Sequence, residues 1–246
     1  MKKVAIAALG AGFAVTCVAQ GIITAPMTEE ALKRTGGRIV KPDTQKGEIV
    51  VVNAQKTAEA KWVESSAAQL AATTLFKVST KTGTFDLRNP QLAGNATLFV
   101  VDDAALPMSL VAPEAHWAAV NVAPLKSEKP AFFEMRVRKE IARTFALLCG
   151  GANSRFPAAI VGAVSNVGDL DQFGTDKLPA DVIAHFPAYM SAFGATPARL
   201  ATYINACRQG WAPAPTNDYQ KAIWDREYAI PAKPIKIRHV KTDTKK

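Results

Sequence analysis

The chain has 246 residues, 48% of them hydrophobic, and carries a formal net charge of +9 at pH 7. This length can bury a sizeable core, and the absence of low-complexity blocks and internal repeats argues against a disordered chain or a repeat array. No GxSxG elbow, P-loop or GxGxxG occurs, so the motif-borne forms of serine hydrolysis and nucleotide binding are not indicated.

Residues 1–19 join Lys2 and Lys3 to an apolar run from Val4 to Val15 and the small-residue stretch Cys17-Val18-Ala19. That is the layout of a secretory signal peptide, and the run is too short for an ordinary membrane span. Export is therefore expected, with cleavage near Ala19 and a periplasmic or secreted mature chain. Cys17 offers a second reading, a lipid-modified N-terminus, although Thr16 is bulkier than the small residue such signals place before the cysteine. No later segment reaches the ~20 apolar residues of a transmembrane helix. Loss of the leader leaves Cys149 and Cys207, which form either a disulfide or two thiols. Spacing does not decide between these.

Residues 20–46 lack a sustained period and are read as an N-terminal arm. An α/β lobe is expected over 47–150. In it, GEIVVVNAQ predicts a buried strand around Ile49 to Val52, and the stretch from Thr57 to Phe76 predicts a helix with Thr57 as N-cap and Glu59 in its first turn. FKVSTKTGTFDLRN reads as a strand or hairpin broken at Gly83, NATLFVVDD (95–103) as a strand, the stretch with Pro107 and Pro113 as a loop, and HWAAVNVAPL (116–125) as another strand. A helix starts near Pro130 and is closed by Gly150-Gly151. Residues 151–232 predict a mainly helical lobe: VGAVSNVG (161–168) is a loop, ADVIAHF a helix stopped by Pro187, TPARLATYINACRQG a helix capped by Thr196 and ended by Gly210, and NDYQKAIWDREYAI a last short helix. Residues 233–246 are a basic tail. The order of elements belongs to an α/β (α+β) fold.

The helix after Pro130 holds the candidate site. At 3.6 residues per turn, Arg136, Lys139, Glu140 and Arg143 share about a third of its circumference, opposite Val137, Ile141, Phe145 and Leu148. One reading is a solvated face supported by an Arg136–Glu140 pair at i,i+4. The others are a cleft that binds an anionic group and a closed ion cluster. His116, His185 and His239 have no partner at metal-ligand spacing, and Asp102-Asp103 and Asp169/Asp171 read as turn formers.

The run from NATLFVVDD through HWAAVNVAPL to RVRKEIARTFALLCGG resembles the archaemetzincins and, more broadly, the metzincin clan of zinc peptidases, over roughly residues 47 to 175. The resemblance rests on element order and implies a twisted mixed sheet with two long helices. On the clan's HExxHxxGxxH pattern, Lys139 takes the first histidine position, Glu140 the general base, Arg143 the second histidine, Ala146 the glycine and Cys149 the third ligand. The segment AVSNVGDLDQF is similar to the one following the clan's methionine turn, without the methionine. Charged lysine and arginine have no lone pair for a dication, so no metal ligands and no cofactor are expected. Glu140 is a vestigial general-base position, and Lys139, Arg143 and Arg136 are anion or carboxylate contacts. The resemblance thus implies an exported pseudopeptidase, a binding or accessory protein whose partner is a peptide, glycan or envelope component rather than nucleic acid. Two alternatives stand beside it: a zinc metallohydrolase with a site rebuilt from Glu140, Cys149 and a distant histidine, and a surface-interaction protein acting through the tail Lys233 to Lys246.

Overall fold

The computed structural model describes residues 32–33, 37–41, 44–151, 154 and 159–228. The signal-like segment with Cys17 and the basic tail with His239 lie outside the described residues. The chain divides into two compact units, one containing Val40–Leu200 and the other made from Met27–Ile39 and Ala201–Lys246.

After a short strand β1 (Arg38–Val40), the chain enters β2 (Ile49–Ala54), helix α1 (Ala60–Thr74) and β3 (Val78–Gly83). Then follow β4 (Ala96–Val101), β5 (Ser109–Ala112), β6 (Trp117–Asn121) and the long helix α2 (Pro130–Leu148). Strands β2 to β6 form one sheet in the order β3-β2-β4-β6-β5. Its first four strands are parallel, and β5 runs antiparallel to β6 at one edge. Parallel neighbours need a crossover, and α1 supplies it between β2 and β3. Every residue of β2 and β4 is buried, which is why these strands read as unbroken apolar runs rather than as alternating ones.

The two faces of the sheet are covered differently. Ile49, Val51, Leu98, Val100 and Val120 pack with Val63 and Leu70 of α1 and with Val137, Ile141 and Phe145 of α2. Each such side chain contributes about 1.5–3 kcal/mol by leaving water. On the other face, Val50, Val52, Phe99, Val101 and Ala119 meet Phe85, Ala93 and Leu106. These come from connections, not helices. Residues 84–95 carry the chain from β3 past β2 to β4 without regular structure, and Phe85 sits 4.9 Å from Phe99 and 5.8 Å from Trp117, centroid to centroid.

The expected α/β class with a mixed sheet and two long helices is the one observed. Several local details differ. The stretch between Pro107 and Pro113 contains β5, four residues held by pairing with β6. Helix α1 begins after Glu59 with no side-chain cap, while the Thr57 hydroxyl donates to Ala54 O in the preceding turn. At the end of α2, Gly150 takes φ +77, and a Cβ on Gly151 would stand 2.6 Å from Val182 and 2.7 Å from Phe186, so the paired glycines serve both a turn and a close approach.

Beyond residue 159 the first unit contains α3 (Val167–Gln172), α4 (Ala180–Ile183) and α5 (Phe186–Ser191). The loop expected over 161–168 ends in a capping box, Asn166 with Asp169, that starts α3. Pro187 lies in the first turn of α5 and opens that helix instead of only stopping the one before it. Strand β7 (Leu200–Thr202), whose first residue is the last of the first unit, leads into α6 (Tyr203–Arg208) and α7 (Asp218–Tyr228) of the second. The cap of α6 is Thr202, whose side chain accepts from Asn205 N, and not Thr196. The helical stripe expected from Leu200 therefore begins at Tyr203, and Leu200 lies exposed on a strand. Leu32, Ile39, Tyr203, Ala206 and Ala212 form this unit's core. No helix among the described residues is long and apolar enough to cross a membrane.

Candidate functional site

Helix α2 places the expected charged residues, and its apolar stripe of Val137, Ile141, Phe145 and Leu148 is fully buried against the sheet, as its period requires. The opposite face is buried too. Ile160, Val161, Leu170, Phe173 and Leu178 join the same core, so the segment from residue 159 through α3 roofs the side of α2 that carries Lys139, Glu140 and Arg143. Lys139 is 3% exposed and Glu140 0%. The solvated face expected from periodicity is absent, because its cover comes from residues distant in sequence.

Each charge under this roof has a distinct partner. Arg136 does not pair with Glu140. It donates from Nε to Asp171 Oδ1 at 2.9 Å and from Nη2 to Asp171 Oδ2 at 2.6 Å, a two-pronged pair that fixes α3 to α2. Glu140 Oε1 accepts from Arg143 Nη1 at 2.9 Å and from Thr144 Oγ1 at 3.2 Å. Arg143 also donates to Ser109 Oγ at 3.2 Å and Gly162 O at 3.4 Å, tying α2 to the edge strand β5 and to the roof. Glu140 Oε2 has no hydrogen-bond partner among the described residues. Lys139 Nζ donates to Leu170 O at 3.2 Å. Arg138 pairs with Asp176 at 2.9 Å and donates to Gln69 Oε1 at 2.9 Å.

Burial dominates the electrostatics at the centre. It pushes the Glu140 carboxyl above the usual carboxylate range, with Arg143 opposing. It also pushes Lys139 below the ordinary lysine value, opposed by Asp171 and Asp176. The hydrogen bonds from Arg136 hold Asp171 below the usual range. A carboxyl whose folded pKa is raised binds more protons in the native state, so its stabilising contribution is present at low pH and is lost as pH rises through the folded value. Glu140→Gln, which has no such titration, should therefore gain stability relative to the wild type as pH rises from about 4 to 8. Urea unfolding across that range measures the difference, and a difference flat in pH would show that burial does not control Glu140.

Zinc does not fit this centre. Lys139 and Arg143 offer no lone pair, Glu140 Oε1 is already engaged by Arg143, and burial pushes the Cys149 thiol up, away from the thiolate a metal needs. Among the described residues, no group of three His, Cys, Asp or Glu side chains is placed to hold a metal ion. Cys149 and Cys207 are free thiols, Cys149 in the core of the first unit and Cys207 in the second unit with Sγ 3.2 Å from Pro213 O. Of the histidines, His116 stacks on Phe193 with centroids 3.8 Å apart, and neither it nor His185 approaches the charged helix face as a ligand set.

Helical spacing brings together Arg136, Lys139, Glu140 and Arg143 but not their partners Asp171, Ser109 and Thr144, nor the neighbouring Arg138–Asp176 pair. Asp169 and Asp171, expected as turn formers, both lie in α3, Asp169 in its capping box and Asp171 on Arg136. An open cleft does exist, displaced toward the N-terminal half of α2. It encloses about 390 Å³ and is lined by Glu134, Met135, Arg138, Lys139, Gly174 and Asp176, among others.

No protein-family model matches the chain, and no curated protein matches it. Solved structures do show similarity. Compared with the crystal structure of archaemetzincin from Methanopyrus kandleri, the chain is 13% identical with a TM-score of 0.49, over 58% of this chain and 95% of that one. For archaemetzincin from Archaeoglobus fulgidus, complexed with malonate, the values are 14% and 0.44, over 56% and 99%. For a zinc-dependent peptidase from Methanocorpusculum labreanum they are 14% and 0.43, over 56% and 99%.

Proposed function

We propose that the chain is an exported, metzincin-like pseudopeptidase that acts as a binding or accessory protein in the cell envelope or outside the cell. The reading is carried by one observation: the side chain at the general-base position, Glu140, has no exposed surface and is engaged by Arg143 at 2.9 Å. A base that activates water must reach that water, and a buried carboxylate locked to a guanidinium does not. Lys139 and Arg143 occupy the two histidine positions with groups that repel a dication. What the helix keeps is a charge cluster that holds its roof in place.

Protein purified without chelator should carry far less than one zinc per chain, and EDTA should leave its Tm unchanged. Stoichiometric zinc, or peptide cleavage that EDTA abolishes, would overturn the proposal. N-terminal sequencing of the mature chain tests export separately, and Gln20 is the first residue expected.

A further inference from the structure

Strand β3 (Val78–Gly83) is the edge of the sheet opposite β5. Ile49 N donates to Lys77 O and Gln55 N to Gly83 O, so the odd-numbered residues along this strand direct their backbone groups to β2. Thr80 and Thr82, which alternate with them, turn N–H and C=O outward, and no backbone partner for these groups lies among the described residues. Thr82 is exposed and Thr80 half-buried. Beside this row is a recess of about 180 Å³, lined by Asn53 of β2, by Ala60, Val63 and Glu64 of α1, and by Thr80 and Thr82. It is smaller than a typical small-molecule site and suits a single side chain. Both ends of the Asn53 amide are bonded to Ala58. Glu64 is exposed and has no ion pair among the described residues. The neighbouring lysines are engaged elsewhere. Lys61 holds Glu59 at 2.8 Å, and Lys81, which also borders the recess, sends its ammonium to Ala93 O at 3.4 Å on the helix-free face of the sheet.

We infer that β3 accepts an added strand from an extended peptide partner, with a lysine or arginine opposite Thr80 or Thr82 that enters the recess and pairs with Glu64. A side chain opposite an edge residue points to the same face of the sheet as that residue's own. Val78, in step with Thr80 and Thr82, packs with Val63 and Leu70 of α1, so the guest side chain is delivered to the α1 side, where Glu64 stands. The outward N–H and C=O groups of Thr80 and Thr82 supply the main-chain bonds, and the recess supplies the selection. A second copy of this chain fits the edge less well. Antiparallel pairing of β3 with itself about Thr80 would present threonines to both recesses and leave each Glu64 without a cation. This inference rests on the binding role proposed above and gives it a partner, but it is tested apart: zinc content and peptide cleavage decide the pseudopeptidase reading, whereas strand addition decides this one.

The probe is fluorescein-TVTKTVT-amide, followed by anisotropy as the full mature chain is added at about pH 7, with TVTETVT as the charge-reversed analogue. The lysine peptide should bind saturably, and the glutamate peptide about ten-fold or more weakly. Glu64→Lys should invert that preference at unchanged Tm, because Glu64 is exposed. Methylating alternate backbone amides of the peptide should abolish binding for one set and spare it for the other, since only one row of an added strand faces β3. That arm needs no protein variant, so a folding failure cannot obscure it. Thr82→Pro should also lose binding with the fold intact, as the N–H it removes points away from β2. No saturable binding, equal loss from both methylated sets, binding that survives in folded Thr82→Pro, or an unchanged preference in Glu64→Lys would overturn the inference. A concentration-dependent dimer that Thr82→Pro dissolves would overturn it too, by giving the edge to a second copy.

Discussion

Exchanging Arg143 for methionine is expected to destabilise the first unit by about 3–5 kcal/mol at neutral pH, the range for stranding one partner of a buried ion pair. Glu140 has no surface through which water could replace the guanidinium, and its Oε2 already lacks a hydrogen bond. The same change frees Ser109 Oγ and Gly162 O, loosening β5 and the roof together. The loss is limited because Glu140 can take up a proton, so the variant should recover part of its stability in acid. Pairing Arg143→Met with Glu140→Leu, which removes both charges, should return much of the remainder, since apolar replacements of whole buried pairs are often neutral or better. Urea unfolding of the wild type, both single variants and the double variant supplies the cycle. A loss below about 1 kcal/mol for Arg143→Met, typical of solvated pairs, would show that the pair is not sealed.

The legibility of this molecule in its sequence follows from how local each feature is. Strands β2, β4 and β6 announce themselves through β-branched or apolar runs, and α2 through a proline at its start, a 3.6-residue stripe and two glycines at its end. Strand β5 does not, because four residues between prolines become a strand only by pairing with β6. Thr196 and Thr202 are both plausible caps by residue type. The choice fell to Thr202, because residues 200–202 pair as β7 before the helix begins. The grouping of Arg136, Lys139, Glu140 and Arg143 was readable from helical spacing, but their burial was not. Asp171, 35 residues after Arg136, supplies the pair that spacing alone assigned to Glu140. A charged face is ambiguous until the segment that covers it is known.

Asn121→Leu is the second change expected to have a large effect, at about 3–4 kcal/mol. Asn121 ends β6 with 1% of its surface exposed. Its Oδ1 accepts from Asp103 N at 3.1 Å and Ala123 N at 3.1 Å, and its Nδ2 donates to Asp103 O at 2.7 Å and Leu106 O at 2.8 Å. Leucine of similar size strands three backbone groups, Asp103 N, Ala123 N and Leu106 O, while Asp103 O keeps its bond from Leu106 N at 3.2 Å. Each costs about 1–3 kcal/mol if it stays dry, with the total reduced where water reaches the loop. Leu106 packs on the sheet face that has no helix, so the side chain of one asparagine helps keep that face covered. Chemical denaturation gives the energy, and hydrogen exchange gives the location. Unchanged protection at the amides of Asp103 and Ala123 would contradict this account.

The double-sided burial of α2 also bears on how its lesions would be read in a living cell. Between Arg136 and Thr144 the helix is held on one side by the sheet and on the other by α3 and the preceding loop, so a substitution there alters the folded fraction before it alters any contact with a partner. A shift of 1–2 kcal/mol is enough to change steady-state abundance several-fold through chaperone and protease triage. A phenotype arising from this stretch reports first on how much protein survives, and immunoblot quantities belong beside any phenotype assigned to it.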